Sequence, residues 1–219
     1  MFRYKYHSAR YGKKSGRGCN IKPTSEKQKF INKKISGQKR LWTICDNFEK
    51  DDYFITLTYR RDERPDSMDE AMECIKKFLA KLSRILKKRN TKLSYMQMTE
   101  RGTKGGVHHH LLIKNRFDIG VIFEKNLWPY GSVNIQRVYS DNLLKLGMYM
   151  LKGDSEASEK RYSQSRDIVA PEPEVKIIAA EKWTEVPKPV KGYEVINVSD
   201  GVDMEYGYPY QEYIMVKRE

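Results

Sequence analysis

Residues Gly105 to Ile113 read Gly-Gly-Val-His-His-His-Leu-Leu-Ile, and three of the four histidines of the chain stand here side by side. A β-strand sends alternate side chains to opposite faces. Val107, His109, Leu111 and Ile113 then share one face, and His108, His110 and Leu112 share the other. Two imidazoles at i and i+2 can converge on one metal ion through their ring nitrogens. The rival reading is a polar strand end, or His109 packed in a core. Glycines before the triplet and an apolar run after it favour the metal reading.

Working outward, Leu93 to Glu100 reads as the preceding strand, Arg101 to Gly106 as a Gly-rich turn, and Val107 to Ile113 as the antiparallel partner. Upstream, Tyr53-Phe54-Ile55-Thr56-Leu57-Thr58-Tyr59 is β-branched and aromatic, which predicts another strand. Ile55 and Leu57 fall on one of its faces and Thr56 and Thr58 on the other. Those hydroxyls suit either a solvated sheet surface or contacts to a phosphate or base edge. Ser67-x-x-Glu70 is a capping box opening a helix to about Arg89, with Ile75, Phe78, Leu79, Leu82 and Leu86 in its apolar stripe. Downstream come a short helix over Ile119 to Leu127 and a strand over Ser132 to Val138. A helix over Leu143 to Lys152 follows, with Ser140-Asp141-Asn142 offering its N-cap. Nearer the start, Ser25-x-x-Gln28 is a second capping box before a helical stretch to about Asn47, in which Gly37 marks a break. This order predicts an α+β fold, a mainly antiparallel sheet with helices packed on one face.

Three segments follow. Residues 1–23 read as a flexible basic arm, in which Tyr4, Tyr6 and Tyr11 are candidates for stacking on bases. Residues 24–170 hold the main domain. Residues 171–219 are acidic and contain prolines, and the runs Tyr193 to Ile196 and Tyr213 to Val216 suit a small β appendage or a strand added to the main sheet.

The chain of 219 residues carries a net charge of +13, unevenly placed. Residues 1–40 hold thirteen Lys/Arg against one acid, Glu26, while residues 167–219 hold six Lys/Arg against eleven Asp/Glu. A basic body with interleaved tyrosines is the footprint of a nucleic-acid binder. The first twenty residues show no amphipathic face for a membrane surface, and no apolar stretch approaches the roughly 20 residues that span a bilayer. No h-region of a signal peptide is visible. Cys19, Cys45 and Cys74 form no C-x-x-C, which suits reduced thiols in cytoplasm.

Two histidines leave a catalytic metal short of ligands. The nearest upstream carboxylate is Glu100, at the end of the strand that pairs with the histidine strand. One objection stands against it: alternation puts Glu100 on the face of Met96 and Met98, and Gln97 on the other. Strand ends and bulges break parity, so Glu100 is preferred and Gln97 held in reserve. Such an oxygen-containing set with open positions suits Mn²⁺ or Mg²⁺. A second constellation lies on the last helix, where Lys145 and Lys152 fall on the same side as Tyr149. Nearby cations favour the phenolate, whose ordinary pKa is about 10.

The strand Phe54 to Tyr59, the triplet His108-His109-His110 and Tyr149-x-x-Lys152, in this order and separation, resemble the three motifs of HUH endonucleases. They are most similar to the single-tyrosine rolling-circle replication initiators of microviruses, filamentous phages, plasmids and integrative elements. The stretch Thr99-Glu100-Arg101-Gly102 to His110 is the most specific part. The resemblance implies a ferredoxin/RRM-like palm, with His108, His110 and Glu100 as ligands of a divalent metal, Tyr149 as nucleophile and Lys152 as the lysine one turn beyond. It implies nicking and joining of single-stranded DNA at an origin or hairpin through a covalent 5′-phosphotyrosine, in the cytoplasm of a bacterial or phage-infected host. Thr56, Thr58, Arg101, Lys104 and Lys145 are the expected DNA contacts. No Walker-type loop is present, so a host helicase and polymerase are the expected partners. Two departures from the pattern are His109 in the middle position, usually apolar, and Lys145 and Gly153 four residues either side of Tyr149, where the paired-tyrosine form would need a second tyrosine. The rival readings are a single-tyrosine transposase or mobilisation relaxase, and a non-catalytic nucleic-acid-binding module.

Overall fold

The computed structural model describes residues 1–6, 26–102, 105–140, 143–151, 160–177, 186–202 and 209–218. In chain order its elements are β1 (Phe2–Tyr6), α1 (Glu26–Asn47), β2 (Tyr53–Thr58), α2 (Met68–Lys88), β3 (Tyr95–Arg101) and β4 (Val107–Ile113). They continue with α3 (Val121–Glu124), β5 (Val133–Arg137), α4 (Leu144–Leu151), β6 (Lys160–Gln164), β7 (Tyr193–Val202) and β8 (Pro209–Lys217). Two compact units result, one of residues Ile31–Glu172 and one of Met1–Phe30 with Pro173–Glu219.

The larger unit is built on a five-stranded sheet of order β5-β2-β4-β3-β6, antiparallel throughout. The histidine strand β4 is central. On one face, Ile55, Leu57, Leu111 and Ile113 meet the α2 stripe of Ile75, Phe78, Leu82 and Leu86 in the larger core cluster. On the other, Met96, Met98 and Leu112 meet Ile44 and Phe48 from α1 and its end, Leu143 just before α4, and Met150 within it. The fold is therefore α+β, but helices cover both faces of the sheet rather than one. The reason is visible in β4, where Leu111 and Leu112 have opposite parity and both are fully buried. A strand covered on both sides reads as a continuous apolar run. Each such side chain contributes about 1.5–3 kcal/mol by leaving water.

Local signals account for most element ends. The Ser67 hydroxyl accepts from the Glu70 N–H at 3.1 Å, while the Glu70 carboxylate accepts from the Asp66 N–H at 2.9 Å, so the box reaches one residue past the cap. Helix α1 passes through Gly37 without a break. Helix α3 is four residues, shorter than expected, and Asn126 beyond it takes a positive φ of 42°. Strand β6 was not foreseen: Lys-Arg-Tyr-Ser-Gln has little apolar alternation, yet it pairs with β3 from Gln164↔Met96 to Lys160↔Glu100. Ser25, Asp141 and Asn142, taken as caps in the sequence, lie outside the described residues.

The smaller unit is a three-stranded antiparallel sheet of order β1-β8-β7. The Tyr193 and Tyr213 runs thus form a sheet of their own with β1. Residues Phe2–Tyr6 are a strand where an arm was expected, and the remainder of that arm, residues 7–23, lies outside the described residues. The terminal ammonium of Met1 donates to the Met215 carbonyl at 2.7 Å.

Candidate active site

The register of β4 decides which side chains meet. His108 lies opposite Glu100 on β3 and Thr58 on β2, and His110 lies opposite Met98 and Thr56. Directly opposed residues of antiparallel strands share a face. Glu100, Thr56 and Thr58 therefore share the face of His108 and His110, and no bulge is needed. The parity objection fails because the methionine face and the histidine face are the same face, roofed by helices. Gln97 is opposite Leu111, buried on the other side, where its carbonyl oxygen accepts from the Thr99 hydroxyl at 3.2 Å. It is removed from the site.

The β3–β4 turn sets this register. Gly105 takes φ +77°, a left-handed conformation that favours glycine, and its N–H donates to the Gly102 carbonyl at 2.8 Å. The Gly102 N–H in turn donates to the Gly106 carbonyl at 2.8 Å.

His110 is held from three sides. Its Nδ1 is 3.2 Å from the Thr56 hydroxyl, its Nε2 is 3.3 Å from Glu100 Oε1, and its ring lies parallel to Phe54 at 5.8 Å. In the tautomer whose Nδ1–H donates to Thr56, Nε2 and Oε1 present two lone pairs side by side. With metal–ligand bonds of about 2.0–2.2 Å, neighbouring donors lie roughly 3 Å apart, so this pair fits one edge of a coordination shell. The His108 ring is stacked 6.4 Å from that of His110. Burial and the neighbouring His110 charge, aided by Arg64, hold the His108 pKa below its ordinary value against the pull of Glu100. That favours the neutral imidazole a metal requires. Among the described residues, no three His, Cys, Asp or Glu side chains converge closely enough to hold an ion. His110 and Glu100 are brought together, and His108 stands beside them on the same face.

Tyr149 reaches this face from α4. Its ring stands edge-on to His110 at 5.9 Å and to Phe54 at 6.3 Å, and it remains 56% exposed. The helix comes close because Gly147 has no side chain: a Cβ there would lie 2.5 Å from Leu41 Cδ1 on α1.

Residues 52–154 match the family model of the ORF2-type replication-associated proteins. This segment is similar to that family. The matched segment runs from just before β2 to just past α4, and so contains Thr56, Glu100, all three adjacent histidines and Tyr149. The match is consistent with a rolling-circle replication initiator. No curated protein and no solved structure matches the chain. Among the described residues, no helix is long and apolar enough to cross a membrane.

The remaining candidates of the matched segment divide by place. Lys145 is exposed one turn before Tyr149 on α4. Thr58 is half-buried opposite His108, and its carbonyl accepts from the Trp128 indole at 2.9 Å. Arg101 is half-buried and donates to the Asp66 carbonyl at 3.3 Å, bracing the entry to α2. Lys104 and Lys152 lie outside the described residues.

His109 is turned the other way and closed off. Its Nε2 is 2.7 Å from the Tyr59 hydroxyl, its Nδ1 is 2.7 Å from the Thr99 hydroxyl, and Trp128 meets its ring edge-on at 5.3 Å. Burial, with the charges of His110 and His108 adding to it, pushes its pKa down to about 3. Burial first, and then Cys74, pushes that of Tyr59 up. Both rings are thus neutral. Sequence reasoning did not single out Phe54 or Tyr59. Phe54 was within reach, because it shares parity with Thr56.

Proposed function

We propose that the matched segment nicks and rejoins single-stranded DNA to start rolling-circle replication of a mobile element, with Tyr149 as nucleophile. The observation that carries this reading is the position of the Tyr149 ring, 5.9 Å from His110, on the face where His110 Nε2 and Glu100 Oε1 stand 3.3 Å apart. A divalent ion, Mn²⁺ or Mg²⁺, bound by His108, His110 and Glu100 would polarise the scissile phosphate and offset charge in the transition state. Thr56 fixes the His110 ring so that Nε2 faces the phosphate. Lys145, one turn before Tyr149 on α4, and Lys152, three residues after it in the sequence, would offset the charge of a phosphate brought to the tyrosine. The tyrosine oxygen attacks phosphorus in line. A bond from phosphorus to that oxygen forms as the bond to the 3′ oxygen breaks, and the leaving oxygen takes up a proton as a 3′-hydroxyl. One phosphodiester replaces another, so the reverse attack rejoins the strand. The free 3′ end suits extension by a host polymerase, and unwinding falls to a host helicase.

The test is incubation with single-stranded origin DNA and Mn²⁺, followed by denaturing electrophoresis. A covalent protein–DNA adduct is expected, and Tyr149→Phe should abolish it. A non-catalytic binding module would give no adduct. A transposase or relaxase would give the same adduct on a different DNA, at paired element ends or a transfer origin.

A further inference from the structure

We propose that the small β1-β8-β7 sheet carries a second DNA site, a stacking platform for the bases of single-stranded DNA formed by Tyr4, Tyr6 and Tyr210. The register places Tyr6 opposite Tyr210 and Tyr4 opposite Glu212, so Tyr4, Tyr6 and Tyr210 share one face of this sheet. The other face is the covered one: Gln211, Tyr213 and Met215 of β8 are buried. A sheet with one covered face ordinarily turns polar side chains outward. Here β1 turns out tyrosines instead, with Tyr4 50% and Tyr6 58% exposed. Their rings are stacked on each other at 5.1 Å and 27°, and Tyr210 lies 6.2 Å from Tyr4. Across the pair from Tyr210 is Gly201, where a Cβ would approach the Tyr210 hydroxyl oxygen to 3.0 Å, so the absent side chain leaves that ring room to lie across the strand.

Charge identifies the occupant. Strand β1 runs directly into the most basic part of the chain, with thirteen Lys/Arg and one acid in residues 1–40. That stretch suits a polyanion. A single strand bound here presents its bases to the aromatic face of the sheet. A duplex hides its bases and cannot bind in this way. Stacking on aromatic faces is tolerant of sequence, because every base has a π-face. The choice of DNA over RNA rests on the nicking function proposed above.

The experiment uses the full chain in excess chelator, where cleavage cannot occur, so its outcome is independent of whether Tyr149 forms an adduct. Fluorescence anisotropy of a labelled oligodeoxyadenylate reads the affinity at several salt concentrations. Each stacked base contributes roughly a 5- to 150-fold gain in affinity. Tyr4→Ile with Tyr6→Ile, which keeps strand propensity and removes the π-faces, should weaken binding at least tenfold without changing the slope against log salt. Tyr4→Phe with Tyr6→Phe should stay within threefold of the parent. The proposal is overturned if the isoleucine variant binds within threefold of the parent, if the phenylalanine variant falls with it, or if oligoriboadenylate binds tighter than its DNA counterpart. If the isoleucine pair loses the circular-dichroism signal of strand, Tyr6→Ile alone carries the decision at a threshold of threefold.

Discussion

On one face of β4, His109 is enclosed, with a hydroxyl on each ring nitrogen and an aromatic edge against the ring. On the other face His108 and His110 stand beside Glu100. His110 has a hydroxyl at Nδ1 but a carboxylate oxygen at Nε2, and an exposed tyrosine approaches from outside. Identical side chains one residue apart thus serve opposite ends. Saturated hydrogen bonding makes a histidine a structural part of the core, whereas the His110–Glu100 pair is where the proposed cation would bind. What separates them is strand parity and the partners each face supplies.

The comparison can be broken at several points, the largest effect first. His110→Ala removes a donor from the open face and should lower metal-dependent adduct formation by about a thousandfold or more, while single-stranded DNA is still bound. An unchanged adduct yield would remove the open face from the chemistry. His109→Ala acts on the closed face: it takes the imidazole partner from the Tyr59 and Thr99 hydroxyls, opens a cavity beside them, and should cost roughly 3 kcal/mol in urea unfolding. The folded fraction should still form adduct. Thr56→Val removes the hydroxyl that fixes His110, and supporting partners of this kind are worth about 10- to 100-fold in metal affinity. A Mn²⁺ titration of adduct yield should shift by that factor, with the yield at saturating metal little changed.

The smallest effect is on pH dependence. His109 binds a proton near pH 6.5 when unfolded and only at about 3 when folded, so acid favours the unfolded chain. Its stabilising contribution is complete above about pH 6.5 and declines toward pH 3, by on the order of 1 kcal/mol per unit. His109→Leu should flatten the difference in urea midpoint between pH 7.5 and pH 5. An equal slope in both proteins would mean that His109 is not closed off.

Much of this arrangement was legible in the sequence, for identifiable reasons. The alternation of β2 and β4 and the 3.6-residue stripe of α2 are local patterns, and the capping box at Ser67 formed as read, apart from its one-residue reach to Asp66. Parity alone separated His109 from His108 and His110. Glu100 was chosen against an apparent geometric objection, which assumed that an apolar face and a site face must differ. Only the placement of α1 and α4 over the Met96–Met98 face removes that assumption, and tertiary packing of this kind leaves no local mark. Strand β6 has too few apolar residues to announce itself. Strand β1 depends on a partner about two hundred residues away, Tyr6 pairing with Tyr210. Its alternation of Phe2, Tyr4 and Tyr6 was masked by the basic stretch that follows.

The most direct test of the open face as a cleavage site is to find the atom that carries the DNA. The adduct formed with Mn²⁺ and origin DNA would be digested with nuclease and protease, and the nucleotide-bearing peptide sequenced by mass spectrometry. The account predicts a phosphodiester on Tyr149, within the peptide that follows Lys145. A nucleotide on any other tyrosine, or no modified peptide at all, would contradict it.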